Sequence, residues 1–145
     1  MNKIQTLLTT TVLLFGMNGS VIADYKDGYD AYQKGDYKIA FNEWKPLAEQ
    51  GDADAQYSLG VLYANSKGVL KDYKEAVKWY RKAAEQGDAG AQFNLGLKYA
   101  IGEGVLKDLS KAKYWIKKAY ENPDASADII KRTEKGWNLL ELWKY

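Results

Sequence analysis

The stretch AAEQGDAGAQFNLGLKYA at residues 83–100 decides the fold, because a near copy of it, LAEQGDADAQYSLGVLYA, stands at residues 47–64. Both lie within longer segments, 40–75 and 76–111, which align without a gap and share 18 of their 36 residues. Identity at half of the positions over a fixed offset indicates an internal repeat. Repeats with a period of about 20–50 residues are typical of solenoids, whose units bury their apolar faces against neighbouring units.

The repeat divides the chain after residue 23 into four parts. Residues 24–39 are interpreted as a half unit with a shorter loop, and residues 40–75 and 76–111 as two full repeats. Residues 112–145 are interpreted as a divergent third unit with a C-terminal cap. Divergence is expected at both ends, because an end unit has a neighbour on one side only.

Two turn signals separate the helical patterns of each unit. Gln-Gly-Asp, at residues 50–52 and 86–88, places glycine at a left-handed helix end and aspartate at the next N-cap. Gly-Val-Leu-Lys-Asp, at 68–72 and 104–108, marks the other turn. These signals predict an all-α fold, a right-handed solenoid of stacked antiparallel helix pairs. The predicted helices span residues 27–34, 37–49, 53–65, 73–86, 89–101 and 109–121, and a last helix begins near residue 125.

Small residues inside the first helix of each unit predict close helix crossings. Ala55, Gly60, Ala91 and Gly96 stand where a core usually has larger side chains. A larger residue there would push the crossing helices apart, so the glycines and the neighbouring aromatic residues are interpreted as packing residues by default.

The first 23 residues have the pattern of a secretory signal peptide. Lys3 precedes an apolar run from Leu7 to Met17, and the small residue Ala23 ends the segment. The run is too short to span a bilayer, so we expect cleavage after Ala23 and a periplasmic or secreted product. An uncleaved membrane anchor is the alternative. A lipoprotein is excluded, because the chain has no cysteine to carry the lipid.

Composition excludes several kinds of site. The chain has neither cysteine nor histidine, so it cannot form disulfides, histidine-dependent nucleophiles, or histidine and thiolate metal sites. A formal net charge of +2 argues against a dedicated nucleic-acid binder. The charge is uneven, with eight acids and four lysines in residues 24–55 and an excess of basic residues after them. Rows of lysines on the second helices are interpreted as a solvated face rather than an anion-binding stripe; they are Lys74, Lys78, Lys82, Lys113 and Lys117.

Two residue patterns resemble catalytic motifs, and neither is interpreted as catalytic. Ser110 and Lys113 match the S-x-x-K spacing of serine–lysine hydrolases, but Ser110 falls in a first helical turn where the other units have lysine. Asp52 with Asp54 is the closest carboxylate pair, yet Asp52 is needed as a helix cap. Calcium-loop and phosphate-loop motifs are incomplete. The sequence therefore predicts no catalytic residue, no metal site and no cofactor.

The pattern AxxWYxKAAEQGDAxAQxxLGxxY…GxGVxxD, from Ala40 to about Ala127, resembles the Sel1-like repeat, a longer relative of the tetratricopeptide repeat. Three departures stand out. Leucine occupies positions 70 and 106, where the family often has proline, and the cysteine pair frequent in exported relatives is missing. Ser66 replaces the glycine that the next unit has as Gly102, which predicts a more strained or differently shaped loop.

The resemblance implies a binding module. First helices line the concave face of tetratricopeptide domains, and aromatic rings with an amide suit an extended peptide or a chain terminus. We expect a protein or peptide partner, no nucleic acid, no membrane span after signal cleavage, and a monomer or weak self-association. The alternatives are an immunity or inhibitor protein for an exported effector, and a small β-lactamase-like hydrolase. Some of the expected partner-binding residues could instead serve only helix packing; they are Tyr25, Tyr29, Tyr57, Ser58, Val61, Phe93, Asn94 and Leu97.

The C-terminal sequence SADIIKRTEKGWNLLELWKY is interpreted as a capping helix. Gly136 predicts a break or kink in it, because glycine destabilises a helix by about 1 kcal/mol relative to alanine. Trp143 and Tyr145 are left open between capping and docking a partner, since aromatic anchors dominate interfaces. The capping face is predicted to hold Ile130, Trp137 and Leu140, at spacings of seven and three residues.

Overall fold

The computed structural model describes residues 24–141. The predicted signal segment and the residues Trp143 and Tyr145 lie outside this range. The described residues form α-helices and no strand, which confirms the predicted all-α fold, and every helix boundary lies within two residues of its prediction. In chain order the helices are α1 Tyr25–Lys34, α2 Tyr37–Glu49, α3 Ala53–Asn65, α4 Tyr73–Glu85, α5 Ala89–Ile101, α6 Leu109–Tyr120 and α7 Ala127–Leu139.

Consecutive helices pack as pairs, and the pairs stack into a solenoid. The pairs are α1 with α2, α3 with α4, and α5 with α6, and each second helix also packs on the first helix of the next pair. The last helix, α7, packs on both α6 and α5. We call the surface formed by α1, α3 and α5 the first-helix face.

The predicted turn signals act as expected in both full repeats. Gly51 and Gly87 adopt left-handed conformations with φ of 104° and 100°. The Asp52 carboxylate then accepts a hydrogen bond from the Ala55 amide at 2.7 Å, and Asp88 caps α5 in the same way. Each cap satisfies an amide that would otherwise lack a partner at the helix start.

The close crossings are confirmed at the predicted glycines. A Cβ atom on Gly60 would lie 2.5 Å from the Tyr80 ring, and one on Gly96 would lie 2.6 Å from the Ile116 side chain. Gly28 meets the Trp44 indole in the same way, so the half unit follows the rule of the full repeats.

Buried amides link each unit to the next. Gln56 Nε2 donates to the Ala48 carbonyl at 3.0 Å, and Gln56 Oε1 accepts from Gln86 Nε2 at 2.8 Å. One repeat later, Gln92 makes the equivalent pair of bonds, with Asn122 in the place of Gln86. Because an unsatisfied buried amide costs about 1–3 kcal/mol, these bonds fix the spacing of successive units and explain the shared Ala-Gln pair.

The two loops within the repeats differ at the predicted position. Ser66 adopts a left-handed conformation with φ of 56°, and Gly102 holds the same place in the next unit with φ of 86°. A side chain disfavours this conformation and glycine does not, so the Ser66 loop is the more strained of the two.

The C-terminal helix differs from its prediction in two ways. It runs without interruption through Gly136 to Leu139, because Gly136 is buried against Phe93, where a Cβ atom would lie 3.3 Å from the ring. The predicted break is therefore wrong. Ile129, not Ile130, packs on the hydrophobic core with Trp137 and Leu140. Both sets of three residues span about 80° of the helix, so helical spacing alone did not distinguish the two isoleucines.

No helix within residues 24–141 is both long enough and apolar enough to cross a membrane.

Candidate interaction surface

An aromatic groove opens on the first-helix face between α1 and α3. Its volume is about 180 Å³. We call it the tyrosine groove. Five of the eight predicted partner-binding residues line it together with two others; the lining residues are Tyr25, Tyr29, Tyr32, Trp44, Tyr57, Ser58 and Val61.

Helical spacing brings the walls of the groove together. Tyr25 and Tyr29 stand four residues apart on α1, as Tyr57 and Val61 do on α3, so each pair lies on one helix face. Trp44 of α2 forms the floor, because Gly28 leaves room for its indole beneath α1.

The floor is fixed by contacts that sequence reasoning missed. Trp44 Nε1 donates to the Tyr25 carbonyl at 3.0 Å, and its ring stacks on the Tyr25 ring with centroids 5.5 Å apart. The repeat could have indicated this contact. Trp44 holds the same repeat position as Tyr80 and Ile116, and each of the three side chains packs against a glycine of a first helix.

Hydroxyl groups supply the polarity of the groove. The Tyr25 hydroxyl and the Ser58 hydroxyl are hydrogen-bonded at 3.1 Å. Burial raises the pKa of Tyr25, and the charges of Asp54 and Asp52 raise it further. Burial also raises the pKa of Tyr57. Both phenols therefore stay protonated at neutral pH and offer hydrogen bonds without charge.

The three predicted residues on α5 do not join the groove. Phe93 is only 4% exposed, because α7 covers it: the Arg132 guanidinium lies 4.8 Å from the centre of its ring. Leu97 packs on the hydrophobic core. Asn94 lies near enough to the Tyr57 phenol to lower its pKa, against the larger effect of burial. The open surface is therefore shorter than predicted and is confined to α1 and α3.

Comparison with known proteins agrees with the pattern of paired helices and interhelical glycines. A model of the Sel1 repeat matches residues 53–88 and 89–124, each match starting at the first helix of a pair. This chain is a Sel1-repeat protein. No curated protein matches the chain significantly.

Solved Sel1-repeat structures share the fold. A Sel1 repeat protein from Oxalobacter formigenes is 40% identical over 68% of this chain and 40% of its own, with a TM-score of 0.65. A protective antigen of uropathogenic Escherichia coli strains is 39% identical over 68% of this chain and 23% of its own, with a TM-score of 0.63. Cysteine-rich protein B of Helicobacter pylori is 25% identical over 78% of this chain and 97% of its own, with a TM-score of 0.57.

The chain therefore spans less than half the length of the first two relatives. Sel1 repeats generally act as non-catalytic scaffolds that bind other proteins.

The side chains that resembled catalytic motifs lie on the surface and at a helix cap in this Sel1-repeat protein. Ser110 is exposed in the first turn of α6, and the Lys113 ammonium lies 5.8 Å from the centre of the Trp137 ring. Asp52 is engaged as the cap of α3. Within residues 24–141, no cluster of acidic side chains is arranged to hold a metal ion.

The predicted lysine rows are surface features. Lys74, Lys78, Lys82 and Lys117 are exposed, and Lys113 is half-buried. Lys78 pairs with Glu75 at 3.1 Å and Lys117 with Glu121 at 3.7 Å, which offsets the repulsion between lysines four residues apart.

A larger cavity of about 440 Å³ lies between α6 and α7, at the end of the solenoid. Side chains of both charge signs line it, among them Lys117, Glu121 and Glu134. We favour the tyrosine groove as the candidate site, because aromatic residues from two successive units converge there.

Proposed function

We propose that this Sel1-repeat protein is a non-catalytic interaction module that binds a peptide or a protein segment in the tyrosine groove. The observation that carries the proposal is the convergence of Tyr25, Tyr29 and Tyr57 on one open surface with Ser58. Tyr29 is 48% exposed although it is a large aromatic residue, and tyrosine is one of the three residue types enriched among the anchors of interfaces. Their hydroxyls can bond the backbone of an extended ligand while the rings cover its apolar side chains.

Site-specific cross-linking tests this proposal in the native host. A photoreactive phenylalanine analogue replaces Tyr29, and in a control strain it replaces Tyr114 of α6, which is 51% exposed and lies away from the groove. We expect a covalent complex with a defined protein from position 29 and none from position 114. Equal cross-linking from the two positions would contradict the proposal.

We also propose that the protein acts in the cell envelope, after removal of residues 1–23. The support is the basic start, the short apolar run and the small residue Ala23 of that segment. Expressed in a Gram-negative host, the protein should be released by periplasmic extraction with an intact mass that begins at Asp24. A soluble product that retains residues 1–23 would contradict the assignment.

A further inference from the structure

The loops that join the two helices of each pair lie along one edge of the solenoid, because successive helices alternate in direction. We call this surface the loop edge. A Cβ atom on Gly68 would lie 2.5 Å from the Tyr37 backbone at the start of α2, and one on Gly104 would meet the Tyr73 carbonyl at the start of α4. Each loop therefore packs against the pair before it, and the loops form one continuous surface. They are residues 35–36, 66–72 and 102–108.

Large apolar side chains project from the loop edge into solvent. Leu70 is 89% exposed and Leu106, one repeat later, is 90% exposed. No other large apolar side chain within residues 24–141 is as exposed as these two, and neither packs on the hydrophobic core. Ile39, at the start of α2, is exposed as well and lines a shallow cavity of about 320 Å³ with Gly68 of the next loop. The packing of the helices therefore gives the two leucines no role.

Each of these three apolar side chains has a lysine as its neighbour in sequence; the lysines are Lys38, Lys71 and Lys107. All three lysines are exposed, and none forms an ion pair with another residue of the range 24–141. Three acids of the loops are already engaged, two as helix caps and one with Lys98; they are Asp72, Asp108 and Glu103. The fourth, Asp36, is exposed. The edge thus presents apolar side chains beside cations that lack an acidic partner.

Charge distinguishes the loop edge from the opposite edge, where turns join successive pairs. When two helical residues on either side of each connection are included, the loops hold six lysines and four acids, whereas the turns hold eight acids and no basic residue. The ranges are 33–38, 64–74 and 100–110 for the loops, and 48–54, 84–90 and 119–128 for the turns. An anionic surface attracts the first set and repels the second, so it orients the protein with the loop edge towards it.

We infer that the loop edge docks on a bilayer that contains anionic phospholipid. Ile39, Leu70 and Leu106 enter the interface of the bilayer, and the neighbouring lysines lie at the level of the headgroup phosphates. Single side chains on separate loops suit a fluid surface, which accepts each of them wherever it enters. A protein partner would need a pocket for each one at a matching distance. The inference goes beyond the proposed function, because the tyrosine groove takes no part in it.

Flotation of the purified protein with lipid vesicles tests the role of charge. We expect binding to vesicles of phosphatidylglycerol and phosphatidylcholine in equal parts, and at least about tenfold weaker binding to phosphatidylcholine alone. Lys74→Glu, at the loop edge of α4, should weaken the binding about fivefold or more. Lys82→Glu is the matched control, since Lys82 is also exposed, lies near the other end of the same helix and changes the net charge equally. Its binding should stay close to that of the unmodified protein.

A fluorescent label tests the insertion of the leucines. Because the chain has no cysteine, Leu106→Cys can be labelled at one site with a nitrobenzoxadiazole dye, whose emission brightens and shifts to the blue in an apolar environment. We expect this change at position 106 on addition of the phosphatidylglycerol vesicles. Gln50→Cys is the control, because Gln50 is exposed in the turn between α2 and α3 at the opposite edge, and its emission should not change.

Several results would overturn the inference. They are failure of the protein to bind the phosphatidylglycerol vesicles, an equal loss of binding in Lys74→Glu and Lys82→Glu, and an equal change of emission from positions 50 and 106. A blue shift at position 106 that follows protein concentration and needs no vesicles would assign the loop edge to a second copy of the chain instead. Each of these results would leave the tyrosine groove unaffected as the proposed binding site.

Discussion

At the scale of single residues, the glycines of the first helices set the distance between the two helices of each pair. Gly96 faces the Ile116 side chain and the backbone of α6, with the Ala112 carbonyl 3.1 Å from where a Cβ atom would lie. Backbone atoms cannot rotate away as a side chain can, so a methyl group at this position requires α6 to move. Small residues therefore occupy core positions here because the partner helix fills the space.

Gly96→Ala should accordingly lower the free energy of unfolding by about 1–3 kcal/mol, and Gly96→Leu by more. The same substitution at Gly136 is the control, because its nearest neighbour is the Phe93 ring at 3.3 Å and alanine also favours the helix. Urea denaturation followed by circular dichroism measures both. A neutral Gly96→Ala would mean that α5 and α6 do not cross at this residue.

Buried tyrosines make stability sensitive to alkaline pH. Burial raises the pKa of Tyr80 above its ordinary value of 10.0, so the folded state holds the phenolic proton more tightly than the unfolded state does. The contribution of this residue to stability is present below pH 10 and is lost as pH rises towards the folded-state pKa.

Between pH 9 and pH 11, the urea midpoint of Tyr80→Phe should therefore decrease less than that of the unmodified protein. While the phenol stays protonated in the folded state, each pH unit above the unfolded-state pKa lowers the free energy of unfolding by about 1.4 kcal/mol. Tyr114→Phe serves as the control because that ring is exposed. Parallel pH profiles for the unmodified protein and Tyr80→Phe would show that this phenol does not govern alkaline stability.

At the scale of secondary-structure elements, α7 does more than cover the end of the solenoid. It packs on α6 along its length and reaches across α5, where Arg132 and Gly136 lie against Phe93. Ile129, Trp137 and Leu140 join the hydrophobic core built by α4 to α6.

Truncation after Asp128 should therefore expose Phe93 and destroy the end of the core. We expect a lower melting temperature, loss of cooperative unfolding and binding of a hydrophobic dye such as ANS. Thermal melts of the full chain and of the truncated chain provide the comparison. An unchanged melting temperature would mean that α7 is dispensable for the fold and is available to a partner.

The helices and turns could be predicted because local chemistry fixes them. Asp52 and Asp88 cap the helices that follow them, and Gly51 and Gly87 adopt the left-handed conformation that ends the preceding helices. Both features recur in each repeat, so the sequence indicates them twice. The course of α7 could not be predicted in the same way. Lys131 and Arg132 stand where the other units have Leu-Gly. The sequence therefore held no repeated pattern from which the packing of α7 on α5 could be predicted.

The candidate site was predictable in part for the same reason. Tyr57 and Val61 follow from the repeat register, which also placed Phe93 and Leu97 on the equivalent face. Whether that face is open depends on α7, a contact between segments far apart in sequence, and the periodicity of α5 carries no information about it. Trp44 was missed because it reaches the groove from a second helix, past Gly28.

At the scale of the whole molecule, acidic residues are concentrated in residues 24–55, at the N-terminal end of the solenoid, and basic residues are in excess in the units that follow. The acids of residues 24–55 include Asp54, whose charge acts on Tyr25 of the groove. On the second helices, by contrast, Lys74, Lys78, Lys82 and Lys117 are exposed. Long-range attraction would then bring basic partners to the groove and keep acidic ones away, an effect that weakens with added salt.

We propose that binding takes place in the tyrosine groove, and calorimetry with the partner recovered by cross-linking measures this. The dissociation constant is measured for the unmodified protein, for Tyr29→Ser and for Tyr114→Ser, two substitutions at nearly equal exposure. We predict that Tyr29→Ser weakens binding by about tenfold or more, as expected for an aromatic anchor, and that Tyr114→Ser leaves it unchanged. Unchanged binding by Tyr29→Ser, or an equal loss in both variants, would mean that the partner does not bind in the tyrosine groove.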